Sequence, residues 1–220
     1  MSEITEPTLK SQLDAKKDDF EAHAPVDKKQ DYAEGLEAVE KSGVIKKAKQ
    51  VGDQAPEFTL KNAIGNDVTL SEYLKKGPVV LTWYRGGWCP YCNLTLQRLQ
   101  QELGNIQAEG ANLLALSPEL PDNSLNTTEK NDLKFEVLSD VGNQVGKAYG
   151  IIFKLTAAVA NRYQDGFNLH GFNGDESNEL PLAATYIINQ NGEINYAFLE
   201  VDYRKRAEPA DIIDALKTLE

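Results

Sequence analysis

The chain has 220 residues, of which 41% are hydrophobic, and this is enough to bury one well-filled core. Its formal net charge of -11 argues against nucleic acid or an anionic membrane as the main partner, because both select for basic surfaces. No apolar run reaches the length of a membrane helix, about 18 residues. The N-terminus is polar and acidic from Glu3 onward, which predicts neither a signal peptide nor an anchor and favours a cytoplasmic protein.

Residues 1–50 predict a helical N-terminal extension. Two weakly amphipathic segments carry apolar residues at helical spacing, namely Leu9, Leu13 and Phe20, then Tyr32, Leu36 and Val39. Since no reactive cluster is present, we expect both helices to pack on the main domain or on a partner subunit, which leaves a homodimer open. The composition shifts at Val51, so we divide the chain into an extension, 1–50, and one domain, 51–220.

The cysteines lie where a buried strand meets an amphipathic helix. The apolar run Val79–Trp83 predicts the strand, and Gly86-Gly87 predicts a turn after it. From Pro90 to Gly110 apolar residues recur every three or four positions, which predicts a helix. Proline at the first helical position makes Cys89 the predicted N-cap and places Cys92 in the first turn.

This position has a chemical consequence for both thiols. First-turn amides lack intrahelical partners and the helix dipole is positive there, so a thiolate is favoured and we expect both sulfurs to be nucleophilic. No Asp or Glu occurs between Tyr73 and Gln101. Residues three apart on a helix lie about 5–6 Å apart, which suits a disulfide. In a reducing compartment a C-x-x-C pair is catalytic or metal-binding before it is structural.

The other elements predict an α/β sheet with mixed strand directions and helices on both faces. Residues 51–74 predict an edge hairpin about Gly65-Asn66, and Ala111–Ser117 predicts a strand parallel to the first. The remaining predicted elements are helices at 124–132, 141–149 and 155–163, a strand at 135–138, a long loop at 164–179, an antiparallel hairpin at 184–201 and a C-terminal helix from Pro209.

Several stretches resemble, in order and spacing, the landmarks of the peroxiredoxins of the alkyl hydroperoxide reductase and thiol-specific antioxidant (AhpC/TSA) family. They are VGDQAPEFTL, VVLTWYRGGWCPYCN, LLALSPE, LKFEVLSDVGNQVGKAYGI and AATYIINQNGEI, so the resemblance covers 51–219. The stretches YRGGWCPYCN and DYRKRAEP resemble a peroxiredoxin-like branch with a similar helical extension. The resemblance implies a thioredoxin-like mixed sheet flanked by helices, and a thiol peroxidase that needs no bound cofactor.

The family's motif assigns residues position by position. Its peroxidatic cysteine falls on Cys92, and the peroxide-binding threonine three residues earlier falls on Cys89. Its arginine near the penultimate strand falls on Ala183, which leaves the peroxide-orienting cation to Arg85 or Arg206. Arg206 matches another family arginine.

Two residues of the site keep alternative interpretations. Arg206 either approaches the cysteines or pairs with Glu208 on the surface. Trp88 is either a core or rim aromatic or a docking residue for the reductant.

The resemblance implies the following reaction. A thiolate attacks hydrogen peroxide or an alkyl hydroperoxide, and the resulting sulfenic acid condenses with a second thiol. That thiol is Cys89 or belongs to another molecule, because the chain has two cysteines. A thioredoxin or a glutaredoxin would then reduce the disulfide.

Two other functions remain open on the residues alone. A protein dithiol-disulfide oxidoreductase would use Cys89 as its nucleophile, and a non-enzymatic redox sensor would use the pair to switch an interface. A zinc site is not expected, because Cys89, Cys92, His23 and His170 are all the Cys and His in the chain and have no paired-histidine spacing.

Overall fold

A seven-stranded mixed sheet forms the centre of the molecule in a computed structural model, which describes residues 7–219. The strands are β1 (Thr59–Asn62), β2 (Asp67–Thr69), β3 (Val79–Trp83), β4 (Asn112–Ser117), β5 (Glu136–Ser139), β6 (Ile152–Lys154), β7 (Glu179–Pro181), β8 (Ala183–Ile188) and β9 (Ile194–Glu200). The order in the sheet is β2-β1-β5-β4-β3-β8-β9, while β6 and β7 form a separate pair. Strands β3, β4 and β5 are parallel to one another, and every other pairing is antiparallel.

Helices cover both faces of this sheet. They are α1 (Leu9–His23), α2 (Val26–Lys41), α3 (Val44–Lys47), α4 (Leu70–Leu74), α5 (Pro90–Gln101), α6 (Leu103–Ala108), α7 (Pro121–Lys130), α8 (Gln144–Ala148), α9 (Ala157–Phe167), α10 (Leu169–Asn173) and α11 (Pro209–Lys217). Within residues 7–219, none of the helices is both long enough and apolar enough to cross a bilayer.

Strand β3 is buried along its whole length because it contributes to a core on each face of the sheet. Leu81 and Trp83 point to one face, where they pack with Leu114, Tyr149 and Tyr186. Val80 points to the other face, whose core includes side chains of α5, α6 and α11. This alternation follows from the two-residue period of a strand. Packing on both faces fixes the carboxyl end of β3, and therefore the turn that carries the cysteines.

Most predicted elements are confirmed. The structure has the edge hairpin, the parallel pairing of β3 with β4, the antiparallel pair β8 and β9, and a helix that begins at Pro209. The predicted cysteine helix is correct at its start but not at its end. Helix α5 stops at Gln101, Glu102 has φ -92 and ψ 1, and the chain continues as α6.

The prediction of a long loop at 164–179 was wrong. The segment contains the end of α9, all of α10 and the first residue of β7. Asn168 adopts a left-handed conformation with φ 59 and caps α10 by accepting a hydrogen bond from Gly171 N at 3.3 Å. Leu169 is buried with Leu180 in a small cluster. A five-residue helix and two three-residue strands are too short to produce a clear hydrophobic period, so this packing is not visible in the sequence.

The two N-terminal helices pack against the rest of the chain. Leu9 and Leu13 of α1 belong to the same core as α5. Gly35 of α2 lies against α9 so closely that an added Cβ would come within 2.8 Å of Val159 Cγ2. Arg162 of α9 donates to Asp31 and, at 2.7 Å, to Asp27, both on α2. Apolar contacts and ion pairs together hold α1 against α5 and α2 against α9.

We expect Leu13→Ala to lower the free energy of unfolding by about 2–5 kcal/mol, because a large-to-small change in a core leaves a cavity. Leu13 is 3% exposed, whereas Val26 of the same extension is 77% exposed and provides the control Val26→Ala. Urea unfolding of both variants measures the difference. Equal, small effects would mean that α1 contributes nothing to the core.

Candidate active site

The turn between β3 and α5 depends on two glycines. A Cβ on Gly86 would lie 2.1 Å from Trp88 Nε1, and a Cβ on Gly87 would lie 2.1 Å from Thr127 Oγ1. Only glycine fits so close to these neighbours. The backbone N–H of Cys89 then donates to the Gly86 carbonyl at 3.0 Å, which closes the turn and starts the helix.

Cys92 is completely buried in the first turn of α5, where two nitrogen donors reach its sulfur. The backbone N–H of Arg85 and the Nη2 of Arg206 both lie 3.4 Å from Cys92 Sγ. Burial alone would raise the pKa of Cys92, but the hydrogen bond from the Cys89 thiol and the charges of Arg206 and Arg85 outweigh it and hold this pKa well below its ordinary value. Cys92 is therefore the thiolate of the pair.

Cys89 is the N-cap of α5 and has the opposite character. Cys89 is 1% exposed, and burial together with the neighbouring Cys92 raises the pKa of its thiol well above the ordinary value. The expectation that both sulfurs are nucleophilic was therefore wrong for Cys89 in the reduced protein. The physical reason is that two adjacent buried sulfurs share one stabilised negative charge.

The two candidate cations occupy different places. Arg206 lies in the loop before α11 and contacts the Cys92 sulfur, and its Nη1 donates to the carbonyl of Lys205 at 2.8 Å. The Arg85 side chain donates to the Tyr163 hydroxyl, and its Cζ lies 4.1 Å from the centre of the Tyr203 ring. The guanidinium on the sulfur is thus that of Arg206, while Arg85 supplies its backbone N–H.

A cavity of about 170 Å³ opens beside Cys89. Its walls are mainly aromatic and come from the extension, the cysteine turn, α9 and the loop after β9: Phe20, Tyr32, Trp88, Tyr91, Tyr163, Phe167 and Tyr203. Trp88 stacks on Phe167 with ring centres 4.3 Å apart. Lys28, Arg85 and Cys89 also line the cavity, and we call it the Cys89 pocket.

Glu119 is a residue of the site that our sequence analysis did not identify. It is fully buried just after β4, accepts a hydrogen bond from Gly87 N at 2.8 Å and lies 3.5 Å from the Thr127 hydroxyl. Burial raises the pKa of Glu119 to about 7, and the charge of Cys92 adds to this. Glu119 follows the carboxyl end of β4, which is parallel to β3. The carboxyl ends of parallel strands meet at one edge of a sheet, so this position was the sequence signal that could have identified Glu119.

The carbonyl of Gly87 is held from the other side by a chain of amides. Asn93 Nδ2 donates to it at 2.8 Å, and Asn131 Nδ2 donates to Asn93 Oδ1 at 3.0 Å. Both polar atoms of the Gly87 residue therefore have side-chain partners, which fixes the turn that presents the cysteines.

The other sequence candidates lie outside this arrangement. Ala183 is the buried first residue of β8, and His170 Nε2 contacts Asn178 Oδ1 at 2.9 Å. Among residues 7–219 no three His, Cys, Asp or Glu side chains form a group suited to a metal ion.

The sequence model described as the AhpC/TSA family matches residues 51–197. The chain belongs to the AhpC/TSA family. A putative peroxiredoxin of Haemophilus influenzae is 33% identical over 169 residues, which span 77% of this chain and 97% of the relative. The thiol-disulfide oxidoreductase ResA of Bacillus thuringiensis is 26% identical over 131 residues, covering 59% of this chain and 73% of ResA.

Solved structures agree with the family assignment at the level of fold. The crystal structure of peroxidoxin BcpB from Mycobacterium tuberculosis superimposes with a TM-score of 0.62 and 17% identity, covering 78% of this chain and 98% of that one. The predicted thioredoxin-like fold is confirmed. As an AhpC/TSA protein with peroxiredoxin relatives, the chain is a thiol peroxidase, an oxidoreductase. The family implies a peroxide substrate and a thioredoxin-type reductant.

We expect Glu119→Gln to change how stability depends on pH. The pKa of Glu119 is raised from 4.5 to about 7 in the fold, so the folded state holds a proton that the unfolded state releases, and folding loses stability as the pH rises through 7. Gln keeps an acceptor for Gly87 but does not titrate. Between pH 5 and pH 8 the wild type should therefore lose about 2–3 kcal/mol of its free energy of unfolding through this group, and the variant should not.

Urea unfolding at both pH values tests this expectation. The exposed Glu109→Gln variant controls for the change in net charge. The expectation would be contradicted if the free energies of unfolding of Glu119→Gln and wild type differed by the same amount at pH 5 and at pH 8.

We expect Arg206→Ala to raise the pKa of Cys92 by about 1–3 units and to slow reaction with peroxide at neutral pH, because an opposite charge is removed from the sulfur. Arg206→Lys should give a smaller effect. Lys205→Ala, an exposed residue of the same loop, removes the same charge without touching the sulfur and is the control. Thiolate absorbance against pH and single-turnover peroxide rates measure both quantities. If Arg206→Ala behaved like Lys205→Ala, Arg206 would have no role at the sulfur.

Proposed function

We propose that the chain reduces hydrogen peroxide or alkyl hydroperoxides with Cys92 as the attacking thiolate and Cys89 as the resolving thiol. The observation that carries the proposal is the environment of Cys92, which is buried, contacted by Arg206 Nη2 and by the Arg85 N–H at 3.4 Å each, and lowered in pKa. The thiolate is the nucleophilic form of cysteine, and the same donors suit the negative charge that develops on a departing oxygen.

The first step makes a sulfenic acid. The Cys92 thiolate attacks one peroxide oxygen, the O–O bond breaks, and the departing alkoxide or hydroxide takes a proton and leaves as alcohol or water. Cys92 is then neutral Cys92–SOH. Arg206 and Arg85 remain in place around it.

Oxidation of Cys92 changes the chemistry of Cys89. In the reduced site Cys92 holds the pKa of Cys89 up, whereas Arg85 and Arg206 act to lower it. Once Cys92 carries no charge, its effect disappears and that of the arginines stays. Cys89 then becomes the better nucleophile, attacks the sulfenic sulfur and releases water, and a Cys89–Cys92 disulfide forms. The pair therefore reacts in a defined order.

We propose that an external thioredoxin or glutaredoxin returns the disulfide to two thiols and that the protein works in the reducing cytoplasm, where such reductants keep thiols reduced. In this proposal the chain divides into an extension, 1–50, and a domain, 51–220; the described part of the extension, residues 7–50, covers the cysteine turn, and a homodimer is compatible with this arrangement.

One observation favours a second function. Cys89 lines the pocket, and Cys92 does not. A dithiol-disulfide oxidoreductase needs its accessible cysteine to attack first. The raised pKa of Cys89 opposes this function, and the peroxidase therefore remains the proposal.

Two serine variants separate the two functions, and each serves as the control for the other. We expect Cys92→Ser to abolish peroxide turnover and Cys89→Ser to consume one peroxide per chain and then stop. In wild type, one equivalent of peroxide should lower the intact mass by two hydrogens, the mark of an internal disulfide. Turnover by Cys92→Ser with an inactive Cys89→Ser would assign the chain to the dithiol-disulfide oxidoreductases. A disulfide-linked dimer as the main product would contradict internal resolution.

A further inference from the structure

The Cys89 pocket is positively charged in an acidic protein. The chain has a formal net charge of -11, yet the described residues that line this pocket include Lys28 and Arg85 and no Asp or Glu. Lys28 is half-buried on α2, with Nζ 5.8 Å from the centre of the Tyr32 ring. The pocket therefore favours an anionic ligand with an apolar body.

Arg85 strengthens this conclusion because its charge has no carboxylate partner among the described residues. It is 2% exposed, its Nη2 bonds to the neutral Tyr163 hydroxyl, and its Nε has no hydrogen-bond partner. Aromatic rings flank it, with Cζ 5.0 Å from the centre of the Trp88 ring. Buried charges are normally paired, and a planar carboxylate is the group that matches a guanidinium.

The position of the two sulfurs shows which reaction a ligand here would undergo. Cys89 lines the pocket, whereas Cys92 is fully buried and does not line it. In the disulfide form, a molecule in the pocket meets the Cys89 sulfur. Attack there expels Cys92, which has the lower pKa and is the better leaving group.

The size of the cavity suits a small attacking molecule. Phe20 and Tyr32 of the extension form part of the wall, and Cys89 is 1% exposed. The wall therefore includes side chains of α1 and α2, and a cavity of about 170 Å³ admits the thiol end of a small molecule.

We propose that the Cys89 pocket binds a small thiol that bears a carboxylate, and that this thiol reduces the Cys89–Cys92 disulfide by attack on the Cys89 sulfur. The reaction rests on the proposed function and adds a second reductant to the thioredoxin type. One thiolate forms a mixed disulfide with Cys89 and releases the Cys92 thiolate. A second thiolate attacks the sulfur of the bound small molecule, and the products are its disulfide and the free Cys89 thiol.

The experiment uses reduced glutathione as the carboxylate-bearing thiol, cysteamine as a cationic thiol and dithiothreitol as a neutral one. The full chain is first oxidised with diamide, so the assay does not depend on peroxidase activity. Lys28→Glu reverses a charge at the pocket, and Lys16→Glu makes the same change at an exposed site on α1. Rates of disulfide reduction are compared after correction for the thiolate fraction of each reductant.

We expect Lys28→Glu to slow reduction by glutathione about tenfold at low ionic strength, with the loss shrinking in high salt. Dithiothreitol should reduce all forms equally, cysteamine should not be slowed, and Lys16→Glu should behave as wild type. An unchanged glutathione rate in Lys28→Glu would overturn the proposal, as would a wild-type glutathione rate no higher than that of cysteamine.

Two further outcomes are informative about the peroxide. If Lys28→Glu slowed reaction with a carboxylate-bearing hydroperoxide but not with glutathione, the pocket would serve the oxidising substrate and the proposal would fall. Failure of the proposed function looks different, since the reduced protein would then consume no peroxide even with dithiothreitol.

Discussion

The stabilisation of one buried negative charge, on Cys92, is the constraint on which the site depends. Removing a thiolate from water is unfavourable, and burial alone would raise the pKa of this residue. Three groups reverse the effect: the Cys89 thiol, the Arg206 guanidinium and the Arg85 residue, whose backbone N–H points at the sulfur. The glycine turn, the Glu119 contact and the buried strand β3 position the cysteines and the Arg85 N–H, and the loop before α11 brings in Arg206.

The same environment separates two cysteines that the local sequence makes look alike. Both lie at the start of α5 and both are buried. Only one charge is stabilised, so the pKa of Cys92 falls and that of Cys89 rises. In the proposed reaction this asymmetry sets the order of the steps, because the raised pKa keeps Cys89 a weak nucleophile until Cys92 has been oxidised. It also explains how a C-x-x-C pair can support peroxidase chemistry in an AhpC/TSA protein.

The helical extension links stability to access. Leu9 and Leu13 complete the core under α5, and Phe20 and Tyr32 close the aromatic wall beside Cys89. Covering the turn excludes water and bulk solvent from the thiolate, which strengthens the electrostatic interactions there. The buried Arg85 and the rim Lys28 then give the remaining opening a positive charge.

Local signals in the sequence determined the elements that make the site. The apolar run at β3, the proline after Cys89 and the turn residues of the hairpins predicted strand, helix and connections, because backbone preferences and hydrophobic period act over a few residues. The motifs at YRGGWCPYCN and DYRKRAEP selected Cys92 and named Arg206 as a candidate.

Only the tertiary structure decided how those parts act together. Arg206 and Cys92 are 114 residues apart, and Glu119 reaches Gly87 across 32, so neither contact has a local signature. The pKa difference between the two cysteines has the same origin, since it depends on burial and on charges brought in from distant segments. Helix α10 and the β6–β7 pair were also not predicted. Elements of three to five residues are stabilised by the surfaces they pack against rather than by local sequence preferences.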